Sequence, residues 1–395
     1  MAGRMLLPLL GGSPAVWNTC LVFFQGMLLL GYLYSHLTTR YLGLGRQAIL
    51  HLAVLASVLL ALPIVVPQAA TPGEWPAYWL LGALFVSVGL PFFGVATTSP
   101  LLQRWYAGTG ARGAHDPYFL SVASNLGSLV ALLAYPVLIE PTLTLSEQSD
   151  WWHWGYVGYA GLVAICATTV WVNRDALPKR EASRSATASR LTETAPASSP
   201  WRWVVLAFLP ASLLTGVTQA ITTDVAPIPL LWVIPLSLYL VTFIVAFAPG
   251  VRLPMRILGK GLAVAAVAWS FTMLAGATEP LWLVLPIHLV TFFIAALLCH
   301  ARLAVERPSA DRLTSYYLWM SVGGVLGGAF NALVAPMLFH RLGFVEYPLI
   351  LLTALLIRPG HNGRLRAWDA GGPVVLGLVV AGIILLTQTH RAGAW

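Results

Sequence analysis

Asn18, Gln25 and Tyr32 recur at seven-residue intervals in an otherwise apolar run. On a helix they share one face. Amides are costly in an apolar medium unless bonded, so this face meets either other helices or a polar cavity. His288 lies within IHLVTFFIAALL, with Thr291 a turn away. An intramembrane histidine is a candidate functional residue or a bonded packing residue. Asn331 follows two glycine pairs in SVGGVLGGAFNALVAP, and Asn125 lies in a related stretch. Asn18, Gln25, Asn125, His288 and Asn331 are therefore the candidate cavity lining. A further polar stretch, Gln219, Thr222, Thr223 and Asp224 ahead of Pro227 and Pro229, separates two apolar runs. It reads as an outer loop in which Asp224 caps a helix, or as a broken helix whose polar atoms meet a ligand. None of this is covalent catalysis. The chain has no phosphate-binding glycine loop, no nucleophile elbow and no zinc-ligand spacing. No catalytic residue, cofactor or metal is expected.

The elements that position these residues must be membrane helices. The chain is 58% hydrophobic and 9% charged, far below the roughly 25% charged of a soluble domain. Apolar runs of about 20 residues span a bilayer as helices, which satisfy their own backbone. Such runs occur at 15–36, 48–67, 77–97, 118–138, 154–173, 203–220, 229–248, 258–276, 280–299, 316–338, 344–357 and 371–388. The fold class is all-α: a polytopic transmembrane helical bundle of about twelve spans, with the lipid bilayer as its principal partner.

Charge fixes the topology. Alternate loops, including the segment 174–202, carry 19 of the 22 Lys and Arg residues. The other loops hold Glu74, Glu140, Glu147, Asp150, Asp224, Glu279 and Glu346, with Arg341 as their one basic residue. The positive-inside rule puts the basic set in the cytoplasm. The net charge of +8 thus reports orientation and implies no nucleic-acid partner. Trp151, Trp152 and Trp154 are expected at the outer interface. Cys20, Cys166 and Cys299 lie in separate apolar runs and suggest no disulfide framework.

The chain repeats itself. FLSVASNLGSLVALLAYPVL (119–138) matches WMSVGGVLGGAFNALVAPML (319–338) at a constant offset, pairing Ser121 with Ser321, Gly127 with Gly327 and Pro136 with Pro336. Pro14-Ala-Val-Trp17 similarly echoes Pro229-Leu-Leu-Trp232. The expected organisation is a first transmembrane half at 1–173, a basic cytoplasmic linker at 174–202, a second half at 203–358, and a loop with an appended helix at 359–395. One helix of the repeat is expected to be absent ahead of Pro14, since a full span precedes Pro229. Gly323 and Gly327, and Gly324 and Gly328, form overlapping small-xxx-small pairs. With Gly127 they are the expected helix-packing seam, static or sliding.

Several stretches resemble a known family. LLPLLGGSPAVWNTCLVFFQGMLLLGYLYSH, TTSPLLQRWYA, DPYFLSVASNLGSLVALLAYPVLIEP, TTDVAPIPLLWVIPLSLYLVTF and YYLWMSVGGVLGGAFNALVAPMLF are similar to the membrane region of fused major-facilitator/spermidine-synthase-like proteins. The resemblance implies a major-facilitator-like fold in the bacterial inner membrane. It also implies a link to aminopropyltransferase chemistry on a soluble domain. This sequence carries no such domain after HRAGAW, so the expectation is either a separately encoded spermidine-synthase-like partner or a truncated reading frame. The expected function is to move or present a small-molecule substrate in concert with that enzyme, by alternating access. The alternative is a non-transporting anchor or scaffold for the soluble partner. Arg40, Gly45 and Arg46 resemble the superfamily's cytoplasmic loop motif, although its acidic residue is missing.

Overall fold

A computed structural model describes residues 5, 14–64, 76–109, 111, 113–172, 199–222, 231–274, 281–338 and 346–356. Among them there is no strand. The helices are α1 (Pro14–Tyr41), α2 (Gly43–Ala61), α3 (Pro76–Leu84), α4 (Leu90–Thr109), α5 (Phe119–Ala134), α6 (Glu140–Thr142), α7 (Leu145–Val172), α8 (Pro200–Ala220), α9 (Val233–Phe247), α10 (Met255–Leu274), α11 (Leu281–Val305), α12 (Leu313–Ala329), α13 (Ala335–Leu338) and α14 (Glu346–Leu356). Wider π-turns at Phe85–Gly89, Tyr135–Ile139 and Phe330–Val334 join α3 to α4, α5 to α6 and α12 to α13. Every expected span except the last falls on a helix or one of these continuous pairs. The last, 371–388, lies outside the described residues, as does most of the linker. Among the described residues, eight helical stretches are long and apolar enough to cross a membrane.

Two spans differ most from the sequence reading. α4 carries its helix on to Thr109, well past residue 97. Its last turns bury Leu101, Gln103 and Trp105, so burial extends the span. α7 begins at Leu145, which places Trp151, Trp152 and Trp154 within the helix. Trp151 and Trp154 are exposed, while Trp152 stacks on Tyr156 at 5.5 Å.

The chain forms two compact units. The first comprises Met1–Ser124, Ala134–Trp203 and Glu306–Val322, and the second Asn125–Leu133, Val204–Val305 and Gly323–Trp395. In the first, α1 lies close against α4. A Cβ at Gly31 would sit 3.1 Å from both Ala96 Cβ and Thr97 N, and Ser35 Oγ donates to Thr97 O at 3.0 Å. Leu55 and Val58 of α2 meet Val163 and Ala167 of α7 in one core. Cys20, Phe23 and Met27 of α1 meet Leu80 and Leu84 of α3 in another.

Gln47 ties the first unit's polar interior together. Its Nε2 donates to Thr38 Oγ1 at 2.9 Å and Thr39 Oγ1 at 2.8 Å. Its Oε1 accepts from Trp105 Nε1 at 3.0 Å. Replacing Gln47 by Leu strands the buried indole N–H, and should cost about 1–3 kcal/mol. Thermal unfolding of Gln47→Leu checks this, and adding Trp105→Phe should recover part of the loss.

The same unit includes the segment that joins α11 to α12. Arg307 pairs with Asp116 at 2.7 Å. Tyr118 Oη donates to Pro308 O at 2.9 Å, and Tyr317 Oη donates to Gln103 Oε1 at 2.9 Å. His36 Nδ1 lies 3.1 Å from Thr314 Oγ1. The exposed ion pair contributes little by itself. The buried tyrosine contacts do most of the positioning.

In the second unit one core gathers α8, α10, α11 and α14 around Leu213, Leu262, Phe292 and Ile350. α9 joins through Thr242 Oγ1, 3.0 Å from His300 Nδ1.

Candidate functional site

Three helices of the second unit bring polar aromatic groups to one place. On α10, Leu262, Ala266 and Trp269 are buried at helical spacing. On α11 the buried face runs Val284, His288, Thr291, Phe292 and Ala295. On α14 it runs Tyr347, Ile350, Leu351 and Ala354. Each pattern is one stripe of a helix turned to a core. These stripes place Trp269 and Tyr347 edge to face at 5.0 Å. Tyr347 and His288 lie nearly parallel at 6.0 Å, and His288 meets Trp269 at 6.3 Å. Thr291 Oγ1 donates within α11 to Ile287 O at 2.7 Å and lies 3.3 Å from Ala265 O of α10. Gly216 of α8 gives Tyr347 its seat, since a Cβ there would lie 3.3 Å from the phenol ring.

All three residues are deeply buried: Trp269 is 2%, His288 5% and Tyr347 1% exposed. Trp269 Nε1, His288 Nδ1 and Tyr347 Oη have no hydrogen-bond partner among the described residues. A buried polar group left unbonded costs about 1–3 kcal/mol, and native interiors leave few of them. Indole N–H only donates, phenol O–H donates or accepts, and imidazole Nδ1 does either according to tautomer. The cluster therefore offers an indole donor, a phenol and an imidazole to a partner rich in acceptor oxygens. Among the described residues no group of His, Cys, Asp and Glu could hold a metal ion.

Asn331, 1% exposed, clamps α8: its Nδ2 donates to Ser212 O, to Ser212 Oγ at 2.8 Å and to Thr215 Oγ1 at 2.8 Å. Its Oδ1 is buried without a partner among the described residues. Gln25 is half-buried in the first unit, and its Oε1 also lacks a partner among the described residues. Tyr32, on the same face, packs edge-on against Tyr317 at 5.8 Å. Asn125 is half-buried on α5. The side chain of Asn18 lies outside the described residues, as do Thr223 and Asp224. Gln219 is half-buried, and Thr222 Oγ1 donates to Thr218 O at 2.8 Å.

The glycine seam is narrower than the sequence pattern. Gly323 lies against Val204 O, and a Cβ there would be 2.9 Å from Ala207 Cβ. Gly327 lies against Phe208 O, and its Cβ would be 3.0 Å from Ser212 N. Among the described residues, a Cβ at Gly324 or at Gly127 would meet nothing within 4 Å. Gly328 is buried. Close approach to α8 therefore selects one glycine pair, and the Asn331 clamp lies one turn beyond it.

Trp269 and Tyr347 were not among the sequence candidates. An isolated aromatic residue in an apolar run has no periodic signal that marks it as more than packing. His51 and His300, both at the ends of apolar runs, are also interior. His51 lies 3.0 Å from Thr98 Oγ1 and is fully buried.

No protein-family model matches the chain, and no curated protein sequence matches it. The fold is similar to the crystal structure of the human organic anion transporter MFSD10 (TETRAN). The two are 14% identical over 87% of this chain and 83% of that one, with a TM-score of 0.52. The class is thereby defined: a multi-pass, all-α membrane protein with a major-facilitator-like fold.

Proposed function

We propose that the protein is a membrane carrier that moves a small molecule by alternating access. The observation that supports this best is the likeness in fold to a transporter along most of both chains. In carriers built from related halves, rocking of one repeat against the other alternates access. The Trp269–His288–Tyr347 cluster is the contact we assign to the cargo. Its donors favour a molecule with carbonyl or carboxylate oxygens. A polyamine finds no carboxylate in the middle of an apolar run to pair with its charge. The resemblance described above adds a role beside a separately encoded spermidine-synthase-like enzyme, in a bacterial inner membrane with the linker on the cytoplasmic side.

Ligand-dependent thermal stabilisation of the purified protein tests the substrate class. A ligand that binds only the folded state at 100 times its Kd adds about 2.7 kcal/mol. Carboxylate-bearing and amino-acid-like compounds should raise the melting temperature, and Trp269→Phe should weaken that rise. Stabilisation by polyamines alone contradicts the assigned contact. Absence of any ligand effect, with co-purification of a soluble aminopropyltransferase-like protein, favours the anchor.

A further inference from the structure

α10 is divided lengthwise. Leu262, Ala266 and Trp269 turn into the core of the second unit, and Met255 and Leu258 pack against the same core. The other face carries Arg256, Lys260, Val264 and Val267, all exposed. At about 3.6 residues per turn these four form one stripe, facing away from the buried one. The two ends of the stripe differ in chemistry. Arg256 and Lys260 are cationic and one turn apart, and Arg252 lies exposed in the turn just ahead of them. Val264 and Val267 are apolar, 72% and 55% exposed.

A fourth cation stands at the same level on the neighbouring helix. α11 runs antiparallel to α10: Thr291 Oγ1 lies 3.3 Å from Ala265 O, and a Cβ at Gly261 would be 3.9 Å from Ile294 Cδ1. Continuing that register brings Arg302, in the last turn of α11, level with the start of α10. Its Nε is buried and has no hydrogen-bond partner among the described residues. Among the described residues no carboxylate pairs with Arg252, Arg256, Lys260 or Arg302. Four positive charges without a counter-charge there suit an anion. Guanidinium groups hold phosphate oxygens through paired N–H bonds, and an ammonium adds a point charge. Length points to the rest of the ligand. From Arg256 to Val267 the helix rises about 16 Å, close to half of the roughly 30 Å hydrocarbon core. A molecule with charge at one end and an acyl chain at the other matches the stripe in order and in length.

We propose that this face of α10, with the adjoining end of α11, binds an anionic phospholipid. Its phosphate is held by Arg252, Arg256, Lys260 and Arg302, and an acyl chain lies along Val264 and Val267. All four cations belong to the basic set of loops and helix ends, so the leaflet assigned is the cytoplasmic one, whose anionic lipids attract such residues. That leaflet rests on the orientation proposed above, whereas binding at this face does not.

Native mass spectrometry of the purified full chain, released from detergent micelles doped with one lipid at a time, tests this. Dioleoyl phosphatidylglycerol should bind about tenfold more tightly than dioleoyl phosphatidylcholine, which has the same chains and no net charge. Arg256→Gln with Lys260→Gln should remove that preference. Arg46→Gln with Arg312→Gln, both exposed, takes the same charge from the basic side elsewhere and should keep it. Inorganic phosphate in large excess should not displace the lipid, because it has no chain to bury. Melting temperatures report whether the variants stay folded. A wild-type measurement stands independently of them: phosphatidylglycerol with a diazirine in its acyl chain should label the peptide that contains Val264 and Val267 above the other exposed helices. The proposal is overturned by equal affinity for the two lipids, or by the same loss in both pairs of variants. Full displacement by inorganic phosphate, or labelling spread evenly over the exposed helices, overturns it as well.

Discussion

Gly327→Leu should unfold or severely weaken the protein, whereas Gly324→Leu should be tolerated. Gly327 lies directly against the backbone carbonyl of Phe208, and a Cβ would also come within 3.0 Å of Ser212 N. Backbone cannot rotate away as a flexible side chain can, so α8 and α12 would have to separate. Overpacking a tight contact costs about 1–3 kcal/mol and occasionally more. Here the upper end is expected, about 3 kcal/mol, because separation also pulls Asn331 from Ser212 and Thr215. At Gly324 a Cβ meets nothing within 4 Å among the described residues, and substitutions away from such contacts usually stay within about 0.5 kcal/mol. Melting temperatures of the two variants in one detergent should differ clearly. Equal losses would mean that both glycines, or neither, carry the seam.

Tyr347→Phe should leave stability unchanged and cut transport about tenfold. The phenol ring packs on Trp269 and His288, and phenylalanine keeps that ring. The hydroxyl has no partner among the described residues, so its removal breaks no internal bond there and removes a buried polar atom. If that oxygen bonds the cargo, its loss removes one hydrogen bond at the binding step, and 1.4 kcal/mol is tenfold in affinity. Reduced uptake at an unchanged melting temperature identifies a ligand contact. A drop in both would mean that the hydroxyl is structural. His288→Ala is the less clean companion, because it also opens a space beside Trp269.

Much of the architecture was legible because membrane burial leaves a coarse signal. Apolar run length located the spans, and the matched segments 119–138 and 319–338 exposed the duplication. Both segments carry a π-turn near their end, at Tyr135–Ile139 and Phe330–Val334. The seam was legible only in part. Glycines at 323, 324, 327 and 328 satisfy the same spacing twice, and only the neighbouring α8 distinguishes 323 and 327 from 324. Gly127 illustrates the converse: its sequence context is that of Gly327, but a Cβ at Gly127 has nothing within 4 Å among the described residues. The interior cluster was half legible. His288 is unusual in an apolar run and drew attention, whereas Trp269 and Tyr347 gain meaning only when α10, α11 and α14 converge. Gln47 lay at a span edge and read as a loop residue. Extension of α4 to Thr109 buries its partner Trp105 and makes it the hub of the first unit.

The central claim is that this fold carries a small molecule across a bilayer. Its most direct test is time-dependent uptake of a radiolabelled carboxylate-bearing compound, one that stabilises the purified protein, into sealed proteoliposomes. The account predicts saturable uptake above protein-free vesicles, accelerated by unlabelled compound preloaded on the opposite side, and reduced about tenfold by Tyr347→Phe. Uptake no faster than in protein-free vesicles, from protein that still binds the compound and unfolds cooperatively, would contradict it.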